Sequence, residues 1–149
     1  IEAFDRNGDL PQVIESGTFD GSVDALVTTL QKYQQEHDQV AIIGKTLEDS
    51  EQLFKALEQR GVKTTLIRTE NQRLVKGTII VPSFLAKGLE FDAVIVWNAN
   101  DQQYHGDDER QLLYTICSRA MHELTLTAVG KVTPLLDQVP ADEYELINK

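Results

Sequence analysis

A lysine and a threonine behind a glycine at the end of an apolar run are the first residues here that could do chemistry. Val40-Ala41-Ile42-Ile43 leads straight into Gly44-Lys45-Thr46, the tripeptide that closes a phosphate-binding P-loop. Such a loop needs another glycine five positions earlier, because that spacing builds the wide turn whose backbone N–H groups wrap the phosphates. Gln39 stands there and residues 40–43 read as strand, so this segment is expected to carry no P-loop. Two other stretches concentrate reactive groups. "AKGLEFDAVIV" (86–96) sets Lys87, Gly88 and Glu90 directly before an apolar run, and "ERQLLYTICSRA" (109–120) sets Arg119 at the end of a mostly apolar helical pattern. His37, His105 and His122 have no metal-ligand spacing and read as solvated surface residues, so no metal site is expected. Asp107-Asp108-Glu109 reads as the acidic start of a helix. There is no Gly-x-Ser-x-Gly and no Cys–His pair to suggest a nucleophile.

The elements that must position these groups alternate. Val23, Leu26, Val27, Leu30 and Tyr33 form a helical stripe with Asp20 or Ser22 as cap. After the strand at 40–43, Thr46 or Asp49 caps a helix to Arg60 that Gly61 stops. Strands are expected at 63–68, 77–83, 91–97 and 124–129, and a helix at about 109–121, with Cys117 as a buried thiol in its apolar pattern. A short helix is expected from about 141 to 147. Strands separated by helices, several apolar on both faces, predict an α/β domain of three layers: a mostly parallel sheet with helices on both sides. Residues 1–19 read as a looser lead-in, 134–149 as a tail, and 1–149 as a single domain. In open sheets of this kind ligands sit at the carboxyl ends of the strands, which directs the search to the loops after each strand.

Composition narrows the partners. The 149 residues suffice for a real core. The first residue is Ile1 rather than Met, so the chain is expected to be a piece of something longer. Fourteen Lys and Arg against 24 Asp and Glu give a net charge of −10, which opposes non-specific attraction to nucleic-acid phosphates. One cysteine fits a reducing compartment, a cytoplasmic location is expected, and no apolar run approaches the ~20 residues of a membrane span.

In order and separation, "AKGLEFD" and "ERQLLYTICSRA" resemble motifs V and VI of superfamily 1 helicases of the UvrD/Rep type, whose patterns are "AKGLEFD" and "ERRLLYVALTRA". Residues 87–92 match outright. In the second stretch Glu109, Arg110, Leu112, Leu113, Tyr114, Arg119 and Ala120 match, and Ser118 replaces a threonine. The segment "VAIIGKTLEDSEQLFKALEQRGVKTTLI" resembles a strand–helix–strand of the second RecA-like domain of those motors. The resemblance spans roughly residues 38–130 and implies a RecA-like fold without its own P-loop. It also implies an ATP site shared with an N-terminal RecA-like domain of the same chain, which would supply the Walker residues and the Mg²⁺ ligands.

By motif position Arg119 is then the arginine that reaches the γ-phosphate, a task suited to a planar, always-charged guanidinium. Glu90 accepts from the ribose or orients Arg119, Gly88 permits a turn or close approach, and Lys87 meets phosphate or is solvated. Tyr114 and Arg110 read as packing and ion-pair residues. The implied activity is that of an ATP-dependent DNA helicase or translocase as a full-length protein, with this piece alone inactive. One departure bears on nucleic acid. Where tracking members have Thr-Val-His-Ser, this chain has Pro82-Ser83-Phe84-Leu85, leaving Ser83 as a partial substitute and Phe84 as a base-stacking candidate for single-stranded DNA. The short link between 69 and 77 looks most like the HelD (DNA helicase IV-like) branch, whose members associate with RNA polymerase. The lead-in "IEAFDRNGDLPQVI" fits the segment after that branch's Asn-Tyr-Arg-Ser motif.

Overall fold

The structure is a computed structural model that describes Phe4 and residues 9–149. Seven strands form one sheet in the order β3-β4-β2-β5-β6-β1-β7. They are β1 (Gln12–Ser16), β2 (Gln39–Gly44), β3 (Thr65–Leu66), β4 (Gly77–Pro82), β5 (Phe91–Val96), β6 (Ala120–Val129) and β7 (Glu145–Asn148). Every pairing is parallel. Helices α1 (Phe19–Glu36) and α2 (Leu47–Gln59) cover one face. The single turn α3 (Ser83–Ala86) and helix α4 (Asp107–Cys117) cover the other.

Central strands buried on both sides must be apolar at successive positions, and β2 shows why the run 40–43 has no polar break. Val40 and Ile42 pack under Leu26, Leu30, Leu53 and Leu57, while Ala41 and Ile43 pack with Leu113 and Ile116 on the opposite face. The three-layer α/β expectation is met.

The Gly44-Lys45-Thr46 tripeptide builds no phosphate loop, because each residue serves the fold. Thr46 caps α2, its hydroxyl accepting from the Asp49 N–H at 3.0 Å. Lys45 pairs with Glu109 at the start of α4. Gly44 lets β2 pass close under the first turn of α2: a methyl group there would lie 2.5 Å from Ser50 Oγ and 3.4 Å from the Ser50 backbone. Ser50 cannot easily yield, since it is buried and its hydroxyl donates to the Thr46 carbonyl at 2.8 Å. Gly44→Ala is therefore expected to cost about 1–3 kcal/mol by overpacking. Adding Ser50→Ala, which removes the obstructing oxygen, should recover part of that loss in urea unfolding.

Several elements differ from the expectation. Residues 12–16 of the supposed lead-in form β1, inserted between β6 and β7; residues 1–3 and 5–8 lie outside the described residues. Glu15 makes β1 look exposed in sequence, yet it is buried, because its carboxylate accepts the Val132 N–H at 2.8 Å. Residues 141–147 are not a helix. One 3₁₀ turn (Ala141–Glu143) gives way to edge strand β7, which pairs with β1. The strand at 63–68 shortens to Thr65–Leu66, and α1 starts earlier, capped by Thr18. Helix α4 stops at Cys117, so Arg119 stands in the turn into β6 rather than on the helix. Among the described residues no helix is long and apolar enough to cross a membrane.

Candidate nucleotide-facing edge

The carboxyl edge of the sheet, where open sheets of this kind hold ligands, is filled by the protein itself. After β5 the chain folds over the strand ends, with Tyr104 fully buried and its carbonyl accepting from Thr133 Oγ1 at 2.7 Å. Asn100 Nδ2 donates to the Val129 carbonyl at 3.0 Å, and Gln103 Nε2 donates to Asp49 at 3.2 Å. The Lys45–Glu109 pair closes the gap between β2 and α4. The Lys45 ammonium, followed by the backbone N–H of His105, holds the Glu109 carboxyl below its ordinary range. Stability from this contact is therefore present above about pH 4.5 and lost as pH falls through the depressed value.

Glu90 and Arg119 lie at the other edge, where β5 and β6 begin. Phe91 and Ala120 are partners in register, which puts the residues just before them side by side. Main-chain and side-chain bonds fix the arrangement from both sides of Glu90. The Phe91 N–H donates to the Arg119 carbonyl at 2.8 Å, and Arg119 Nη1 donates to the Leu89 carbonyl at 3.3 Å. Arg119 Nε donates to the Thr115 carbonyl at 3.2 Å and Nη2 to Ser118 Oγ at 3.1 Å; Ser118 Oγ in turn donates to the Thr115 carbonyl at 2.7 Å. The guanidinium is half-buried, and every acceptor it meets here is neutral. Among the described residues no carboxylate forms an ion pair with it, whereas Arg60, Arg68 and Arg110 each have one. A positioned cation without a counter-charge suits an anion brought from outside.

The loop carrying Glu90 owes its shape to Gly88. The Leu89 N–H donates to the Ala86 carbonyl at 3.1 Å across Lys87 (φ −60°, ψ 134°) and Gly88 (φ 77°). That is a type II turn, whose third residue needs the left-handed region that glycine enters without strain. Lys87, Gly88 and Glu90 are all exposed on this connection.

Ser83 and Phe84 are not part of this group. They follow β4 at the carboxyl edge. Ser83 is buried and its hydroxyl donates to the Lys45 carbonyl at 2.6 Å, tying β4 to β2. Phe84 is 56% exposed and lines a shallow groove of about 430 Å³ with Arg68, Thr69, Glu70, Asn71 and Leu85. Tyr114 and Arg110 serve packing and pairing: the Tyr114 hydroxyl donates to the Leu135 carbonyl at 2.7 Å, and Arg110 pairs with Asp107 at 2.9 Å.

The carbonyl and hydroxyl contacts that anchor Arg119, from Leu89, Thr115 and Ser118, were not read from the sequence. Two of them are main-chain groups with no side-chain signature. The histidine reading also needs correction. His105 and His122 are exposed, but His37 is half-buried and bonded to Glu123, 86 positions away.

A family model for the UvrD-like helicase C-terminal domain matches residues 79–127, the span from β4 to β6 that holds both Glu90 and Arg119. The crystal structure of the C-terminal domain of a possible DNA helicase from Lactobacillus plantarum WCFS1 is 60% identical, covers 95% of this chain and 87% of its own, and superposes with a TM-score of 0.89. The arterivirus nonstructural protein 10 helicase superposes with TM-scores of 0.60 in one crystal structure and 0.59 in its complex with DNA. Identity there is 9% and 11%, over 93% of this chain and 34% and 35% of theirs, a likeness of fold alone. No curated protein sequence matches.

Proposed function

The chain belongs to the UvrD-like helicase C-terminal domain family, and from that premise we propose that its Glu90–Arg119 edge is one half of an ATP site. In this reading the chain is the C-terminal RecA-like motor domain of an ATP-dependent superfamily 1 DNA helicase or translocase. An N-terminal RecA-like domain of the same protein holds ATP and Mg²⁺, and this domain docks its amino sheet edge against them. The observation that carries the proposal is the anchored guanidinium of Arg119, which bonds only neutral acceptors and stands one residue before β6, where the register sets it next to the exposed Glu90 at the start of β5.

Arg119 then forks onto oxygens of the transferring phosphoryl group, and its two anchoring carbonyls hold it at the distance where charge develops. Glu90 accepts from the ribose and selects a nucleoside over a bare polyphosphate. Lys87, on the same exposed turn, adds a positive charge near the phosphates, with Gly88 setting the turn that presents it. Without its partner domain the 149 residues bring no Walker A or Walker B residues and no Mg²⁺ ligands, so they are inactive alone.

A second reading, an ATP-driven factor of the HelD type that acts on RNA polymerase, draws support from Ser83. Its hydroxyl is committed to Lys45 and cannot meet a nucleic-acid strand, and the −10 charge adds no electrostatic pull toward one. Phe84, exposed on its groove, is the residue left for stacking on a base, worth about 1–3 kcal/mol per base in single-strand binders. ATPase measurements on the full-length protein separate the readings. Stimulation by single-stranded DNA, weakened by Phe84→Ala, supports the helicase. A rate indifferent to DNA, with stable polymerase association, supports the second reading.

A further inference from the structure

Away from the mouth of Arg119, the fold gathers ligand-type side chains that the sequence scatters. Glu36 ends α1, His37 caps it, and Glu123 comes from β6. One ligand atom from each lies within 4.8 Å of the other two. His37 Nε2 touches the Glu123 carboxylate, and a Glu36 oxygen lies 4.0 Å from the same nitrogen. The His37 and Glu123 side chains are only 16% and 13% exposed, while Glu36 is 44% exposed.

A strand irregularity produces the convergence. Ala120 pairs with Phe91 but Glu123 pairs with Ala93, so β6 carries one residue more than β5 over this step. In a regular strand neighbouring side chains point to opposite faces. Here His122 and Glu123, adjacent in sequence, both reach the same helix end: Glu123 bonds His37, and the His122 ring lies parallel to the His37 ring with centroids 6.4 Å apart. Bulges that re-aim side chains in this way cluster beside functional sites.

We propose that Glu36, His37 and Glu123 bind a divalent transition-metal ion of the zinc class. One imidazole and two carboxylates make a nitrogen–oxygen donor set that zinc accepts in tetrahedral sites. Magnesium and calcium take oxygen ligands and gain nothing from the imidazole. Around zinc at about 2.0–2.2 Å, tetrahedral ligand atoms stand roughly 3.3 Å apart. To admit the ion the directly bonded His37–Glu123 pair parts and Glu36, the exposed member, moves in. Of the three, Glu123 also lines a cavity of about 460 Å³ with Tyr33 and Lys32. Two carboxylates at one imidazole on a chain of net charge −10 concentrate negative potential where a dication would sit. The bound ion would clamp the end of α1 to β6, four residues beyond Arg119.

Zinc titration of this chain by calorimetry, with Tm followed in parallel, tests the site. One equivalent should bind and raise Tm, with tenfold excess Mg²⁺ failing to displace it. Glu36→Gln, at an exposed position that leaves the core intact, should weaken zinc binding at least tenfold and abolish the Tm rise. His105→Ala, which removes the exposed His105–Asp101 pair, should change affinity less than twofold. Absence of one-equivalent binding, binding unchanged by Glu36→Gln, or binding lost with His105→Ala would overturn the proposal.

Discussion

Replacing Arg119 by alanine in the full-length protein is expected to lower kcat for ATP on the order of 10³-fold or more, with KM for ATP changed far less. An arginine that meets phosphoryl oxygens chiefly as they gain charge stabilises the transition state more than the bound substrate, so its loss appears in kcat. The fold should tolerate the change. Arg119 donates to two main-chain carbonyls and one hydroxyl, makes no ion pair among the described residues, and is half-buried. Hydrogen bonds from a charged donor contribute up to about 1.5–3 kcal/mol each, less at a half-buried position, and an unchanged circular dichroism spectrum would exclude unfolding as the cause. Arg119→Lys keeps the charge but loses the fork, so it should recover only a small part of the rate.

The second large effect is on stability. Phe91 opens β5 with its ring 1% exposed, packed in the cluster that α4 covers. Truncating a buried phenylalanine to alanine removes transfer energy and leaves a cavity, so Phe91→Ala should destabilise by about 3–5 kcal/mol. For a chain of this length that corresponds to a Tm lowered by roughly 6–20 °C. Phe91 also borders the site, since its N–H holds the Arg119 carbonyl. That bond is main-chain and survives the substitution. At a temperature where the variant is still folded, its kcat should therefore fall much less than that of Arg119→Ala. Urea unfolding and ATPase assays on the same preparation separate the two quantities.

The parts of this molecule that were legible in its sequence are those where one local pattern suffices. Val40–Ile43 is apolar at four successive positions, as a strand buried on both faces must be, and Thr46 stands where a helix cap belongs. Strand β1 was not legible because Glu15 breaks its apolar run, and only the fold supplies the Val132 N–H that makes burying it acceptable. Strand β7 has an exposed Leu146 and short length, which gave no strand signal at all. At the site, the resemblance of the stretches at 86–96 and 109–120 to helicase motifs V and VI implied a shared task for Glu90 and Arg119. Both residues read correctly as standing just before strands, but the rule for carboxyl-end ligands pointed to the opposite edge, because it describes crevices that stay open. Here Tyr104, Asn100, Gln103 and the Lys45–Glu109 pair close that crevice. The cluster at His37 depends on a one-residue bulge in β6, and such a register shift leaves no trace in spacing along the chain.

In the proposed function this sheet edge completes an ATP site held mainly by another domain. A crystal structure of the full-length protein with ADP and aluminium fluoride, which mimics the transferring phosphoryl group, tests it most directly. A guanidinium nitrogen of Arg119 is expected within hydrogen-bond distance of the fluoride ligands, and the Glu90 carboxylate at the ribose. A complex in which the nucleotide is fully enclosed while Arg119 stays bonded only to Leu89, Thr115 and Ser118 would contradict it.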